Sequence, residues 1–423
     1  MFITNYIFKL ILSIVLLVIF AKNAFSQEKI DDIEVIGISP LPGIEIDRNK
    51  IPNASQSLRE IDLDSSTGTT IVDLLGEKLT GVTIKDVQNS PFQKNIDYRG
   101  FTAAPLLGES QGLAVYLNGT RINEGFGDTL QWELVPEAAL TDIDLMSSNP
   151  VFGLNALGGS LALTTKKGLD FLNTDSSVEN HFEFGGADWV NGNIELGAGD
   201  ESQGLYVAME NSYDGGWRDN SAGDVKRLFI NYGKIFENSD FDFTFMNADS
   251  NLNGNGVSPT ELLKVRRESV FTWPDFTSNK VYLAASNANF YLEDDSVINT
   301  SVYYRRLIRD TLNADELDAE ECAEDNATHA EQLEDDFGTA DEPICGEADG
   351  DNYEVLIDQF GNAISNNDAI RKYGLLNKSS TMTVTWGGSA QYNINTNYLD
   401  KMHNIIIGAS VDKTRTAFHS RDE

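Results

Sequence analysis

The residues best able to do chemistry cluster in one stretch. Asp310–Asp351 holds about 17 acidic residues and no Lys or Arg, and the only two cysteines, Cys322 and Cys345, fall inside it. A single cysteine pair suits an oxidising compartment and one disulfide. That bridge would close a loop of about two dozen residues, worth about 3 kcal/mol on chain-entropy grounds. Asp349-Gly350-Asp351-Asn352 puts oxygen ligands into a turn, as calcium sites do, but without the full EF-hand spacing. Two readings stand: a cation-binding lid, or a solvated, self-repelling loop pinned by its disulfide. The second asks for less, and no metal site is assigned.

Catalytic patterns are missing elsewhere. No nucleophile–base arrangement, phosphate loop or zinc spacing is present, and Gly185-Gly186 and Gly215-Gly216 read as hairpin glycines. His181, His329, His403 and His419 are scattered. The chain reads as a non-enzyme with no cofactor.

Bulk properties narrow the class. Formal net charge is -35 over 423 residues, which argues against nucleic-acid binding. It does not argue against a membrane protein, where only lipid-facing positions must be apolar. Lys9, the apolar run Leu10–Phe20 and Ala24-Phe25-Ser26 before Gln27 read as a secretory leader over residues 1–26, with an N-terminal membrane anchor as the alternative. No later run reaches the ~20 apolar residues a membrane helix needs.

Two grammars follow the leader. Up to Gly168 the chain mixes a helical period over Thr69–Leu79 with short strands at Leu113–Asn118 and Leu140–Met146. Asn118-Gly119 marks a turn, Pro136 opens a helical turn, and Gly158-Gly159 feeds an alternating strand, Ser160–Lys166. After Gly168 come about nine alternating segments: His181–Gly185, Asn193–Gly199, Leu205–Ser212, Lys226–Phe236, Phe241–Asp249, Lys280–Leu292, Ser296–Arg305, Thr381–Tyr392 and His403–Thr414. Their connections alternate short and long, apart from Gly186–Asn191. That sorting predicts an antiparallel membrane barrel rather than a soluble sandwich.

The motifs around Gly158 resemble a known family. Phe152-Gly153, Ala156, Gly158-Gly159 and the strand ending Thr165-Lys166 look like the end of the plug domain of TonB-dependent outer-membrane receptors. Upstream, in family order, stand Val72–Leu75 with Leu79-Thr80-Gly81-Val82, Tyr98-Arg99-Gly100-Phe101, Val115–Gly119, Val135-Pro136 and Ile143–Leu145. The resemblance implies an α+β plug domain over 46–168, followed over 169–423 by antiparallel transmembrane β-barrel strands. About nine strands stand against the about 22 of a plugged barrel, so the chain reads as the N-terminal part of a longer protein. Met146–Pro150 lacks the arginine that the family pairs with barrel-wall glutamates, which implies a plug locked less firmly, or by Arg99 alone.

Residues 27–45 are expected to hold the Ton box, Ile33-Glu34-Val35-Ile36-Gly37, which would pair as an added strand with periplasmic TonB. An ordinary first plug strand is the alternative. The plug's outward loops, near Gln88–Asn95 and Ala103–Gln111, supply the expected substrate contacts Phe92, Gln93, Lys94 and Glu109. No histidine lies in the plug, which disfavours haem as ligand. The resemblance implies active uptake of a scarce nutrient, a ferric siderophore first, with vitamin B12 or saccharides as alternatives. A passive porin or adhesin is the rival class. The expected partners are TonB, outer-membrane lipid and a metal chelate or other small nutrient, at the outer membrane of a Gram-negative bacterium.

Overall fold

Local signals build the N-terminal domain. The computed structural model describes residues 35–37, 45–47, 53–64, 70–147, 153–293, 296–315, 320–321, 344–347, 353–355, 357, 360–363, 374–398 and 401–422. From Ile36 onward the chain forms one compact unit. Residues 1–26, Ile33, Glu34, Cys322 and Asp349–Asn352 lie outside the described residues. Short strands β1 (Val35–Gly37) and β2 (Glu45–Asp47) pair with each other. Helix Ile71–Lys78 starts at Thr70, whose backbone N–H donates to Asp73 Oδ2 at 3.1 Å. It buries Ile71, Val72, Leu74 and Leu75, an apolar stripe at helical spacing.

Eight further strands complete this domain. They are β3 (Ser55–Arg59), β4 (Val82–Val87), β5 (Ser90–Tyr98), β6 (Phe101–Ala103), β7 (Leu113–Leu117), β8 (Thr120–Arg121), β9 (Leu140–Ser147) and β10 (Gly159–Thr165). One sheet runs β3-β9-β10-β7-β8, and β4-β5-β6 form another. Arg99-Gly100 and Asn118-Gly119 have positive φ and turn the chain between β5 and β6 and between β7 and β8. Asn118 also clamps the end of β10: its Nδ2 donates to Thr165 Oγ1 at 2.8 Å.

The double glycine answers to close packing. A Cβ on Gly158 would lie 2.3 Å from the Phe101 ring, and one on Gly159 would lie 2.7 Å from the Met146 carbonyl oxygen. Only glycine lets β10 enter between β7 and β9 at that point.

All nine expected wall strands are present, in sequential antiparallel order. They are β11 (Thr174–Phe184), β12 (Val190–Gly199), β13 (Gln203–Asp214), β14 (Gly223–Phe236), β15 (Ser239–Asn253), β16 (Asp275–Tyr291) and β17 (Val297–Asp315). A small sheet, β18 (Glu320–Glu321), β19 (Ile344–Glu347) and β20 (Tyr353–Val355), sits in the connection that follows. β21 (Leu375–Tyr398) and β22 (Lys401–Asp422) close the series. Several strands outrun their alternating cores, because ladder hydrogen bonds continue into polar residues. Among the described residues β11 and β22 are not paired with each other, so the sheet is open.

The faces of this sheet are inverted relative to a soluble protein. On β13, Leu205, Met209 and Tyr213 point outward and exposed, while Ala208, Glu210 and Ser212 point inward and are buried. Asn231, Thr244, Ser250, Asn279 and Asn287 are buried on the inner side of the next strands. Apolar-out, polar-in alternation is that of a membrane wall. Tyr232, Phe236 and Phe241 group near the β14–β15 turn, with ring centroids 6.0 and 6.1 Å apart, as an interfacial girdle does. No described helix is long and apolar enough to cross a membrane. The N-terminal domain packs on the inner face, sharing one core with Tyr206, Phe229, Met246 and Leu283 of the wall.

Candidate functional site

Three glutamates of the N-terminal domain lie where it meets the wall: Glu124 and Glu133 are buried there, and Glu137 is half-buried. The wall answers with arginines on inward positions. Arg305 of β17 pairs with Glu124, both side chains buried. Arg227 of β14 holds Glu137 at 3.0 Å and its strand neighbour Glu210 at 2.9 Å, and its Nε donates to the Glu133 carbonyl at 2.7 Å. The second oxygen of Glu137 accepts from the Ile71 N–H at 3.2 Å, tying the pair to the first turn of a helix. Buried charges persist only when paired and hydrogen-bonded in this way.

Glu133 is the exception. Asn279 Nδ2 donates to its Oε1 at 2.7 Å and Ser250 Oγ at 3.3 Å, but among the described residues no cation lies within ion-pair distance and Oε2 has no partner. Burial pushes its carboxyl above the usual range, against the pull of the more distant Arg309.

A cavity of ≈ 260 Å³ opens above these contacts. Leu106, Leu107 and Phe126 line one side; Arg309, Thr311 and Thr381 line the other. It lies on the long-loop side: Gln88, which also borders it, accepts from the Asn255 N–H at 2.7 Å, at the start of the β15–β16 connection. Arg309 Nη1 donates to the Pro105 carbonyl at 2.6 Å, its Nε is unpartnered, and no carboxylate pairs with it among the described residues. Apolar walls with one cation and hydroxyls suit a ligand carrying an anionic group.

Residues 47–160 match the family of the TonB-dependent receptor plug domain. That stretch is a TonB-dependent receptor plug domain. No curated protein matches it, but solved structures share its fold. The ferripyoverdine receptor of the Pseudomonas aeruginosa outer membrane, bound to ferripyoverdine, aligns at TM-score 0.62 and 11% identity, over 92% of this chain and 45% of that one. The ferric preacinetobactin receptor BauA from Acinetobacter baumannii aligns at 0.63 and 10%, over 92% and 50%. The unliganded ferric citrate transporter FecA aligns at 0.63 and 13%, over 88% and 49%. The chain thus spans about half the length of these structures. Receptors with this plug are outer-membrane proteins of Gram-negative bacteria, and the open sheet is part of such a barrel wall.

With the plug identified, its expected site residues can be placed. Phe92, Gln93 and Lys94 are all buried. Phe92 stacks on Trp189 at 5.3 Å and packs with Val225 and Leu252 of the wall. Gln93 is buried, and Lys94 Nζ sits 2.5 Å from Asp73 Oδ1. The tip of their hairpin reaches the mouth, but these side chains fill the gap between plug and wall. Glu109 is exposed in the outward loop. Arg99, the expected lock, forms no ion pair among the described residues; its exposed guanidinium lies 4.9 Å over the Tyr98 ring. Its positive φ turns it out of the plug. The arginine pairs run from the wall to plug glutamates, Arg227 to Glu137 and Arg305 to Glu124, while plug Lys166 pairs in the other sense with wall Glu195.

Sequence reasoning missed Glu124, Glu133, Glu137, Arg227 and Arg305. The strand parity held one signal: Arg227 and Arg305 share a face with Phe229 and Ser301, inward positions. Nothing local marked the glutamates. Lys166, at the end of the plug, bridges Glu195 of β12 at 2.8 Å and Glu60 at 3.3 Å.

Proposed function

We propose that this receptor takes up a ferric siderophore through TonB-driven displacement of the plug. The observation that carries the reading is a plug seated in the wall by buried charge pairs, beneath a mouth cavity that offers a free arginine donor. Passage past such a plug requires breaking those pairs, which calls for an energy source. The similar structures named for ferric chelates support the iron ligand. Ile33–Gly37 serves as the Ton box; Val35–Gly37 already takes an extended form, the conformation that strand addition needs.

Deleting Ile33–Gly37 from the full-length gene tests this. Growth on a ferric siderophore as sole iron source is expected to stop while the receptor still reaches the outer membrane. Unchanged uptake would make the protein a passive porin. Growth screens on vitamin B12 or saccharides separate the remaining nutrient classes.

A further inference from the structure

The outer face of the wall carries one group of cations without counter-charges. Cross-strand pairing sets Tyr304, Trp386 and Lys413 in one row of β17, β21 and β22, and Arg306, Val384 and Arg415 in a next row on the same face. Tyr304 and Trp386 are exposed, and Lys413 Nζ lies 6.0 Å from the Trp386 ring centroid. Arg306 reaches Met382 Sδ at 3.4 Å along the same face. Among the described residues, none of Arg306, Lys413 and Arg415 pairs with a carboxylate. On the same face Lys226 is neutralised by Asp224 at 3.3 Å and Lys280 by Asp249 at 3.5 Å, and Lys234 stands alone over the Phe236 ring. In a chain of net charge -35, three uncompensated cations turned toward lipid stand out.

Their height identifies what they meet. Arg306 lies about nine residues up from Val297, where β17 leaves its short turn, and Lys413 and Arg415 about twelve and fourteen up from Lys401. At about 2.5 Å of height per residue in a tilted strand, that is about 22 to 35 Å above the short-turn side, against an apolar band of about 25 Å. The adjoining Tyr304 and Trp386 mark the same boundary, since aromatics gather at membrane interfaces. The long-loop side is the outer leaflet. Charged residues there escape the penalty of the bilayer midplane and gain from anionic headgroups.

We infer that Arg306, Lys413 and Arg415, flanked by Tyr304 and Trp386, form a docking surface for the phosphate groups of an outer-leaflet glycolipid. The guanidinium groups grip phosphate oxygens by charge-assisted hydrogen bonds, while the aromatic faces and Met382 lie along the acyl chains.

The test uses the full-length receptor folded in detergent, with native mass spectrometry of retained lipid. Bisphosphorylated lipid A is expected to remain bound. The triple substitution R306Q/K413Q/R415Q lowers retention at least about tenfold, and K226Q/K280Q leaves it unchanged. Heat-modifiable migration on gels checks folding, and the charge-conserving R306K/K413R/R415K restores retention. Equal retention by the triple glutamine variant, or of dephosphorylated lipid A by the natural protein, overturns the inference. Equal retention of phosphatidylglycerol overturns the outer-leaflet source. A lipid-independent dimer abolished by the triple variant assigns the patch to a second copy instead.

Discussion

Arg305 on the wall and Glu124 on the plug face each other as a buried pair, 181 residues apart in sequence. Removing one partner strands the other charge away from water. Arg305→Met or Glu124→Met alone should destabilise the plug's seat by about 3–5 kcal/mol. The double replacement Arg305→Met with Glu124→Met should recover most of that loss. Urea unfolding of the four proteins in the full-length receptor checks it; additive losses would show that the two residues do not act as a pair.

Glu133 makes the seat pH-sensitive. Its folded carboxyl titrates above the unfolded one, so the native state binds more protons between those two values. Stability from this group is full below the unfolded value and falls as pH rises through the raised one. Glu133→Gln should remove that slope and leave the receptor about 1–3 kcal/mol more stable at neutral pH. Urea midpoints at acid and neutral pH measure it, and an unchanged slope in the variant places the titration elsewhere.

Gly158 has no room for a methyl group. Gly158→Ala puts a carbon 2.3 Å from the Phe101 ring, which must shift or force β10 out of register. A loss of about 1–3 kcal/mol is expected. Pairing it with Phe101→Ala should return part of the loss, read from thermal unfolding; no recovery would mean the strain lies in the backbone.

Arg309 and Lys94 should separate binding from seating. Arg309→Met empties the mouth cavity of its donor and should weaken ferric-siderophore affinity about tenfold or more, with the fold intact. Lys94→Met breaks a contact with Asp73 and should lower plug stability by about 1 kcal/mol without changing affinity. Titration of the two variants with one ferric siderophore distinguishes them; the reverse ranking would return Lys94 to the ligand site.

Much of the architecture was legible because its causes are local. Alternation along β13 to β16 exposes one face per strand, and the side chains themselves carry that period. Asn118-Gly119 names its own turn through positive φ, and the short and long connections sorted the two ends of the wall. Gly158-Gly159 was read as a boundary turn; the reason for both glycines, the Phe101 ring and the Met146 carbonyl, came from elsewhere in the plug.

What only the tertiary structure decided is which charges meet. Glu124, Glu133 and Glu137 sit among residues that would suit any surface loop, and Arg227 and Arg305 sit in polar-alternating strands. Phe92, Gln93 and Lys94 belong to a hairpin that reaches the mouth, yet the packing of Trp189 and the pull of Asp73 turn them inward. Period and turn chemistry act within a few residues and can be read along the chain. Ion pairing and burial depend on which surfaces come together, and no local pattern records that Arg305 will close on Glu124.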